Sequence, residues 1–503
     1  MGNKSSTILR KISTPHNHHQ GQSENDAVLE ESRKQSQQHY NVSLIRLFEK
    51  LELTADGDNV HPGELSKATF ENAFHGPLHI FGKLIYLQMV SSGALHRERI
   101  TREQFVKAGK EILKMHGEKA LVKYYFHLFA SGKDHLTNED AKQMFEISFA
   151  LTLSLSKILH KEDERDERVF CAMVTSLFGI KTEVKLEEFS TWHRDSCPEL
   201  FQHVHNWVYH ILTGSSLPEE LDNCRVPMLD AVTNANNSIS MAVLWLLSIV
   251  LPPAYTKLKA QKKSSAEGPS ASLAASVAAN NFSSGAGAGE YSVTKDPMWT
   301  SLLLLRKMAR LPQCESWKVL YNSENHGMSS NRFSHHVASY HAANVTFFNF
   351  EGKNQYCLAL DRGWREGCGK FGGEDCRLIQ LLPVYRVIQS GENMVKWVES
   401  SKSSSQGIFV GCDGKAEVLR IPKDFDTISH YGVSCQLYRV EVWGCGSDDA
   451  LEAQRIQKKW EAGAVSREQG RKLRPYGESW DDTPDKQLLQ WGGVNVGNHS
   501  YDR

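Results

Sequence analysis

The chain has 503 residues, a formal net charge of −1, 40% hydrophobic and 23% charged residues, which fits two or three globular domains. Near-neutral charge excludes a globally basic nucleic-acid binder. Ten cysteines with no C-x-x-C pair exclude a disulfide framework and a cysteine-rich zinc site, and fit a reducing compartment.

Residues 1–20 lack the apolar core of a secretory signal. They open instead with Met1-Gly2-Asn3-Lys4-Ser5-Ser6, the pattern for N-myristoylation of Gly2. A single acyl chain binds membranes only marginally and needs a second signal. Lys4, Arg10 and Lys11, with no acid before residue 21, supply one, each worth on the order of 1 kcal/mol beside an anionic leaflet. Residues 1–39 are thus expected to be a flexible, lipid-bearing segment.

Residues 40–215 show apolar side chains at i, i+3 and i+4, as in Val42…Leu44-Ile45…Leu47-Phe48…Leu51 and Ala120-Leu121-Val122…Tyr125-Phe126. Between the helical runs a short element recurs, a branched apolar residue followed four residues later by an acid or amide. It reads Val60…Glu64, Ile100…Gln104, Leu136…Asp140 and Val184…Glu188. This resembles positions 8 and 12 of EF-hand loops, with loops starting at 53, 93, 129 and 177. Plain helical hairpins with acidic caps fit the same pattern. Calcium needs carboxylates, usually at loop positions 1, 3 and 5. Those positions are Leu53/Ala55/Gly57, Gly93/Leu95/Arg97, Phe129/Ser131/Lys133 and Leu177/Gly179/Lys181. The expectation is an EF-hand-like scaffold that binds no calcium.

Residues 216–260 read as a connecting helical region. Its run Met241–Leu251, followed by Pro252-Pro253, is too short to span a bilayer and suits a buried helix, an interfacial helix being the alternative. Residues 261–292, rich in Ser, Ala and Gly, read as a disordered linker. A helical run, Met298–Arg310, follows.

From Trp317 the chain changes to short β-type runs bounded by Gly, Asn and Asp, several apolar enough for burial on both faces. Residues 293–446 resemble the TLDc family. The matching pieces are Leu311-Pro312, Trp317…Leu320-Tyr321-Asn-Ser-Glu324-Asn325-His326-Gly327, Gly363-Trp364-Arg365-Glu366, Lys370-Phe371-Gly372-Gly373-Glu374 and Val440-Glu441-Val442-Trp443-Gly444. The Ser-rich stretch 400–406 departs from the glycine-rich run that the family usually has there. The fold class expected is α+β: an all-helical degenerate EF-hand-like domain, then a TLDc β-sandwich with flanking helices.

His326, His335, His336 and His341 lie close in sequence, but no flanked Ser or Cys nucleophile and no phosphate loop accompanies them. The expectation is no enzyme, no metal and no cofactor. Residues 447–503 form a C-terminal helix and extended tail. Within 448–462, Ala453, Ile456 and Trp460 make a narrow apolar stripe, suited either to a partner's groove or to the chain's own domain.

A Met-Gly start, an EF-like region and a TLDc domain together resemble the myristoylated, lysosomal, mTOR-associated branch of the family. That resemblance implies a non-enzymatic regulator on the cytoplasmic face of the lysosomal membrane, with a cytosolic pool. It implies vacuolar ATPase subunits and mTOR signalling components as partners, the membrane being met through the myristoyl group, with no nucleic acid. The rival, drawn from the wider family, is an oxidation-resistance role with Cys357 or Cys376 as redox thiols.

Replacing Gly2 with Ala removes the acyl acceptor. Most of the protein then moves from membrane to soluble fractions, because three basic residues alone are weak at physiological salt. Unchanged partitioning on fractionation refutes the lipid reading.

Overall fold

The computed structural model describes residues 38, 40–53, 63–73, 78–91, 99–115, 117–155, 160, 163–214, 226–229, 238–256, 316–367, 369–399, 406–413, 416–472 and 484–494. Gly2, Lys4, Arg10, Lys11, the expected linker 261–292, the run 298–310 and most of the Ser-rich stretch lie outside them. The chain divides into a helical and a sheet-rich unit, an α+β composition.

In the helical unit, α1 (40–53), β1 (Glu64–Ser66), α2 (Lys67–Ala73), α3 (Leu78–Ser91), β2 (Arg99–Thr101) and α4 (Arg102–Leu113) come first. Then come α5 (Glu118–Phe129), β3 (His135–Thr137), α6 (Asn138–Leu155), α7 (Glu164–Phe178), β4 (Glu183–Lys185), α8 (Leu186–Ser196) and α9 (Leu200–Thr213). The three-residue strands pair as antiparallel ribbons, β1 with β2 and β3 with β4. Leu65 faces Ile100, and Leu136 faces Val184, all four buried. This is the loop-to-loop pairing of EF-hands.

The first loop corrects the expected spacing. Leu65, not Val60, is the residue paired with Ile100. Counting back from position 8, that loop starts at 58 and its position 12 is Thr69, not Glu64. Both Val60 and Leu65 are branched and apolar, and only strand register separates them. Aromatic contacts join distant parts of this unit: Phe48–Phe105 at 5.6 Å, Phe126–Phe189 at 5.5 Å and Phe81–Trp207 at 5.9 Å between centroids. The apolar run forms α10 (Met241–Ser248), whose residues from Ala242 onward are buried. Its N-terminus is held by the buried carboxylate of Asp166, which accepts the Ala242 N–H at 2.8 Å. An anion at a helix N-terminus meets both orphan donors and the dipole.

The sheet-rich unit contains β5 (Met228–Leu229), α11 (Pro253–Thr256), β6 (Ser316–Asn322), α12 (Ser323–His326) and α13 (Ser330–Val337). Strands β7 (Asn344–Phe350), β8 (Asn354–Leu360), β9 (Arg377–Leu382), β10 (Arg386–Ser390) and β11 (Val395–Val398) follow. Then come β12 (Gly407–Asp413), β13 (Ala416–Ile421), β14 (Thr427–His430), β15 (Val433–Gly444), and the helices α14 (Asp448–Lys472) and α15 (Pro484–Trp491). The expected two-sheet sandwich is one hydrogen-bonded sheet of eleven strands. The twelve-residue β15 belongs to both layers: its first half pairs with β14, its second half lies between β7 and β6. The core between them includes Leu358 and Leu378 from one layer and Ile408 and Leu419 from the other.

Part of the expected helical connector belongs to this sheet. β5 pairs in parallel with β6, Leu229 beside Trp317. Ser238 donates its N–H to Glu441 Oε1 at 3.1 Å and accepts from Gln355 Nε2 at 3.3 Å. Tyr255 accepts from Trp317 Nε1 through its carbonyl at 3.0 Å, and its hydroxyl donates to the Asp375 carbonyl at 3.1 Å. β5, Ser238 and the segment 251–256 therefore complete the sheet unit from the N-terminal side of residues 257–315.

A protease site inserted within 261–292 and cut in the folded protein should leave two chains that co-elute on native size exclusion. Tyr255, Trp317 and Glu441 are all buried across the cut, and burying an aromatic side chain contributes roughly 1.5–3 kcal/mol. Separation of the pieces without denaturant refutes this completion of the sheet unit.

Candidate functional site: the C-terminal helix and its seat

The seat of the C-terminal helix starts at β15. Glu441 is fully buried, its carboxylate accepting from Ser238 N–H, Arg439 Nη1 at 3.1 Å and Trp443 Nε1 at 3.3 Å. Arg439 also pairs with Glu324, the second residue of α12. Ser323 Oγ accepts the Val440 N–H at 3.0 Å. Family-motif residues Glu324 and Glu441 thus act as a structural clamp between α12 and β15. Gly363 has a similar role: a Cβ there would lie 2.0 Å from the Tyr340 carbonyl oxygen. Its neighbour Trp364 meets Phe333 edge-on at 5.0 Å in the core.

After β15, Gly444 and Gly446 lie against the Tyr340 ring, where added Cβ atoms would sit 2.6 Å and 2.9 Å from its hydroxyl. Gly446 N–H donates to that hydroxyl at 2.8 Å. These glycines permit close packing on Tyr340. α14 then docks through Ala450 and Leu451, which pack on the sheet unit's core. Gln454 is buried and donates to the carbonyls of His336 and Ala338 at 3.0 and 2.8 Å. Lys458 Nζ donates to the His336 carbonyl at 3.4 Å, and Glu461 accepts from Ser339 Oγ at 3.1 Å. The last carbonyls of α13 lack intrahelical partners and favour a cation, so one amide and one ammonium satisfy them.

The sequence-predicted stripe lies on another side of this helix. Successive residues turn by about 100°, which puts Ala453, Ile456 and Trp460 away from Gln454 and Lys458. All three are exposed, Ile456 by 59% and Trp460 by 62%. Sequence reasoning had two outcomes for the stripe, domain or partner, and missed that a different, largely polar face does the docking. Polar residues on a helix normally mark the solvent side, so only the position of the α13 carbonyls reveals Gln454 and Lys458.

Ser330 Oγ donates to Glu399. Cys357 and Cys376 are buried; burial pushes the Cys376 thiol up to about 11 and that of Cys357 well above the ordinary range. Among the described residues no three His, Cys, Asp or Glu side chains gather as a metal-binding group, and no helix is long and apolar enough to cross a membrane.

In the EF-like loops the position-12 side chains point inward to their own helices. Thr101 and Gln104 form a reciprocal capping box. Asp140 accepts from Thr137 N–H at 3.1 Å and from Thr137 Oγ1 at 2.8 Å, and Glu188 accepts from Lys185 N–H at 3.2 Å. In the third and fourth loops the lysine at position 5 reaches that same acid. Lys133 lies 3.5 Å from Asp140, and Lys181 pairs with Glu188. The ammonium occupies the electrostatic place of the cation.

Residues 292–446 match the TLDc domain family model. A yeast protein, Restriction of telomere capping protein 5 of Vanderwaltozyma polyspora, is 33% identical over 89 residues, 18% of this chain and 14% of that relative. The chain thus matches only about a seventh of the relative's own length. The described part of that region is the sheet through β15, including the Glu324–Arg439–Glu441 clamp. TLDc domains are in general regulatory or linked to oxidation resistance.

Titrating calcium into the full-length protein should give no calorimetric signal at micromolar concentrations, where EF-hand sensors bind with dissociation constants of about 10⁻⁷–10⁻⁵ M. Binding in that range overturns the lysine-for-calcium reading.

Proposed function

We propose that this chain is a non-enzymatic TLDc regulator, held by a Gly2-linked myristoyl group on the cytoplasmic face of the lysosomal membrane with a cytosolic pool. It binds the vacuolar proton-pumping ATPase and supports mTOR signalling. One observation carries the reading: α14 is pinned through a polar face while its Ala453–Ile456–Trp460 stripe stays exposed. A rigid helix that presents Ile and Trp on an oriented face suits helix-in-groove recognition. Large apolar anchors dominate such interfaces, and pre-ordering the helix lowers the entropy lost on binding. The N-terminal sequence and the family resemblance supply the membrane and the pump. The distal part of α14 extends beyond its last anchor at Glu461 to Lys472, about 16 Å at 1.5 Å per residue, which gives the helix reach.

The thiol-based alternative has less support. A redox cysteine needs thiolate character and access. Burial gives Cys357 and Cys376 neither.

The test is affinity purification of full-length protein from cells, with mass spectrometry of the pump subunits. Wild type is expected to capture them, and Ile456→Asp/Trp460→Ala to lose at least tenfold. The isolated double variant should melt with the wild type, since exposed substitutions change stability by about 0.5 kcal/mol or less. Undiminished capture by the variant removes the stripe from the interface. A wild-type pulldown without pump subunits overturns the partner.

A further inference from the structure

The seat of α14 collects basic groups around two stacked imidazoles. His326 and His336 lie with ring centroids 3.8 Å apart and planes inclined by 16°. His335 stands edge-on to His336 at 5.3 Å. From β6, Tyr321 packs against both stacked rings at 5.9 and 6.0 Å, its hydroxyl donating to the Gly327 carbonyl. The Arg332 guanidinium donates to the His326 carbonyl at 2.6 Å, and the Lys458 ammonium of α14 donates to that of His336 at 3.4 Å. The acids nearby are engaged elsewhere. Glu324 pairs with Arg439 of β15, and Glu461 holds Ser339 and Gln457.

The stack is built for neutral rings. His326 Nδ1 accepts the Asn322 backbone N–H at 3.1 Å. A backbone N–H can only donate, so that ring nitrogen carries no proton. Protonating it breaks the bond that ties the end of α12 to β6. A proton on each ring would place like charges in contact, beside Lys458 and Arg332, while the Glu461 carboxylate acts on Lys458 and not on either ring.

We propose that this corner is an acid-operated latch: protonation of the His326–His336 pair opens the seat formed by α12 and α13 and undocks α14. The direction follows from linkage. Burial, aided by His326, His335 and Lys458, brings the His336 imidazole down to about 4, and burial lowers His326 as well. In the opened corner both rings return toward the ordinary 6.5. Docking is therefore complete above about pH 6.5 and weakens as pH falls toward 4.

The latch is read in the isolated chain by hydrogen exchange with mass spectrometry, corrected for intrinsic exchange, so its failure is distinct from a failure of the partner reading. From pH 7.5 to 5.5, segments 323–337 and 448–461 should lose protection together, with β7 and β8 unchanged as internal reference. His326→Phe/His336→Phe keeps two stacked rings without titration and should abolish the pH dependence. Should that pair fail to fold, His336→Gln retains the anchoring carbonyl and should reduce the dependence. Constant wild-type protection overturns the latch, as does an undiminished pH dependence in the folded variant.

Discussion

A single buried carboxylate holds the sheet unit in register. Glu441 sits on β15 where that strand lies between β6 and β7. Its charge would cost several kcal/mol in isolation, and three donors from three directions offset that cost. One is the backbone of Ser238, far upstream in sequence. Another is Arg439, which carries the connection on to Glu324 and α12. The third is the indole of Trp443 on the same strand. Removing any of them leaves a charge without full compensation, so the Ser238 backbone, strand and helix are mutually obligatory.

The position of α14 follows from that arrangement. α12 and α13 are placed against β15 by the Glu324–Arg439 pair and by Ser323. The end of α13 then offers carbonyls without helical partners, and Gln454 and Lys458 fill them. The helix is fixed by directional hydrogen bonds through a mostly polar face. Its apolar stripe is therefore free of any structural duty in the described chain. Ile456 and Trp460 thus lie exposed, away from the contacts that hold the helix.

The helical unit holds its short ribbons through contacts of its own. The ribbon pairs Leu65–Ile100 and Leu136–Val184 need only apolar side chains at the loop centres. The position-12 acids cap their helices through backbone bonds. In two loops a lysine neutralises them.

The sequence by itself determined the classes of element and much of their placement. Apolar periodicity marked the helices, the recurring branched residue and acid marked three of the four loops at their observed register, and strand-type runs marked the sheet. The apolar run at 241–251 was legible as too short to span a bilayer, and burial in the helical unit chose the buried helix over the interfacial one. Ala453, Ile456 and Trp460 were legible as one stripe because helical geometry fixes which residues share a side. Tertiary structure alone decided the rest. Val60 and Leu65 are equally apolar, and only pairing with Ile100 chose between them. Gly444 and Gly446 after Trp443 serve close contact with Tyr340, which their sequence does not announce. The contacts of Ser238 and Tyr255 and the seat of Gln454 join residues roughly 120 to 200 positions apart. Local sequence carries no trace of such partners, because a hydrogen bond to a distant backbone carbonyl constrains geometry and not residue pattern.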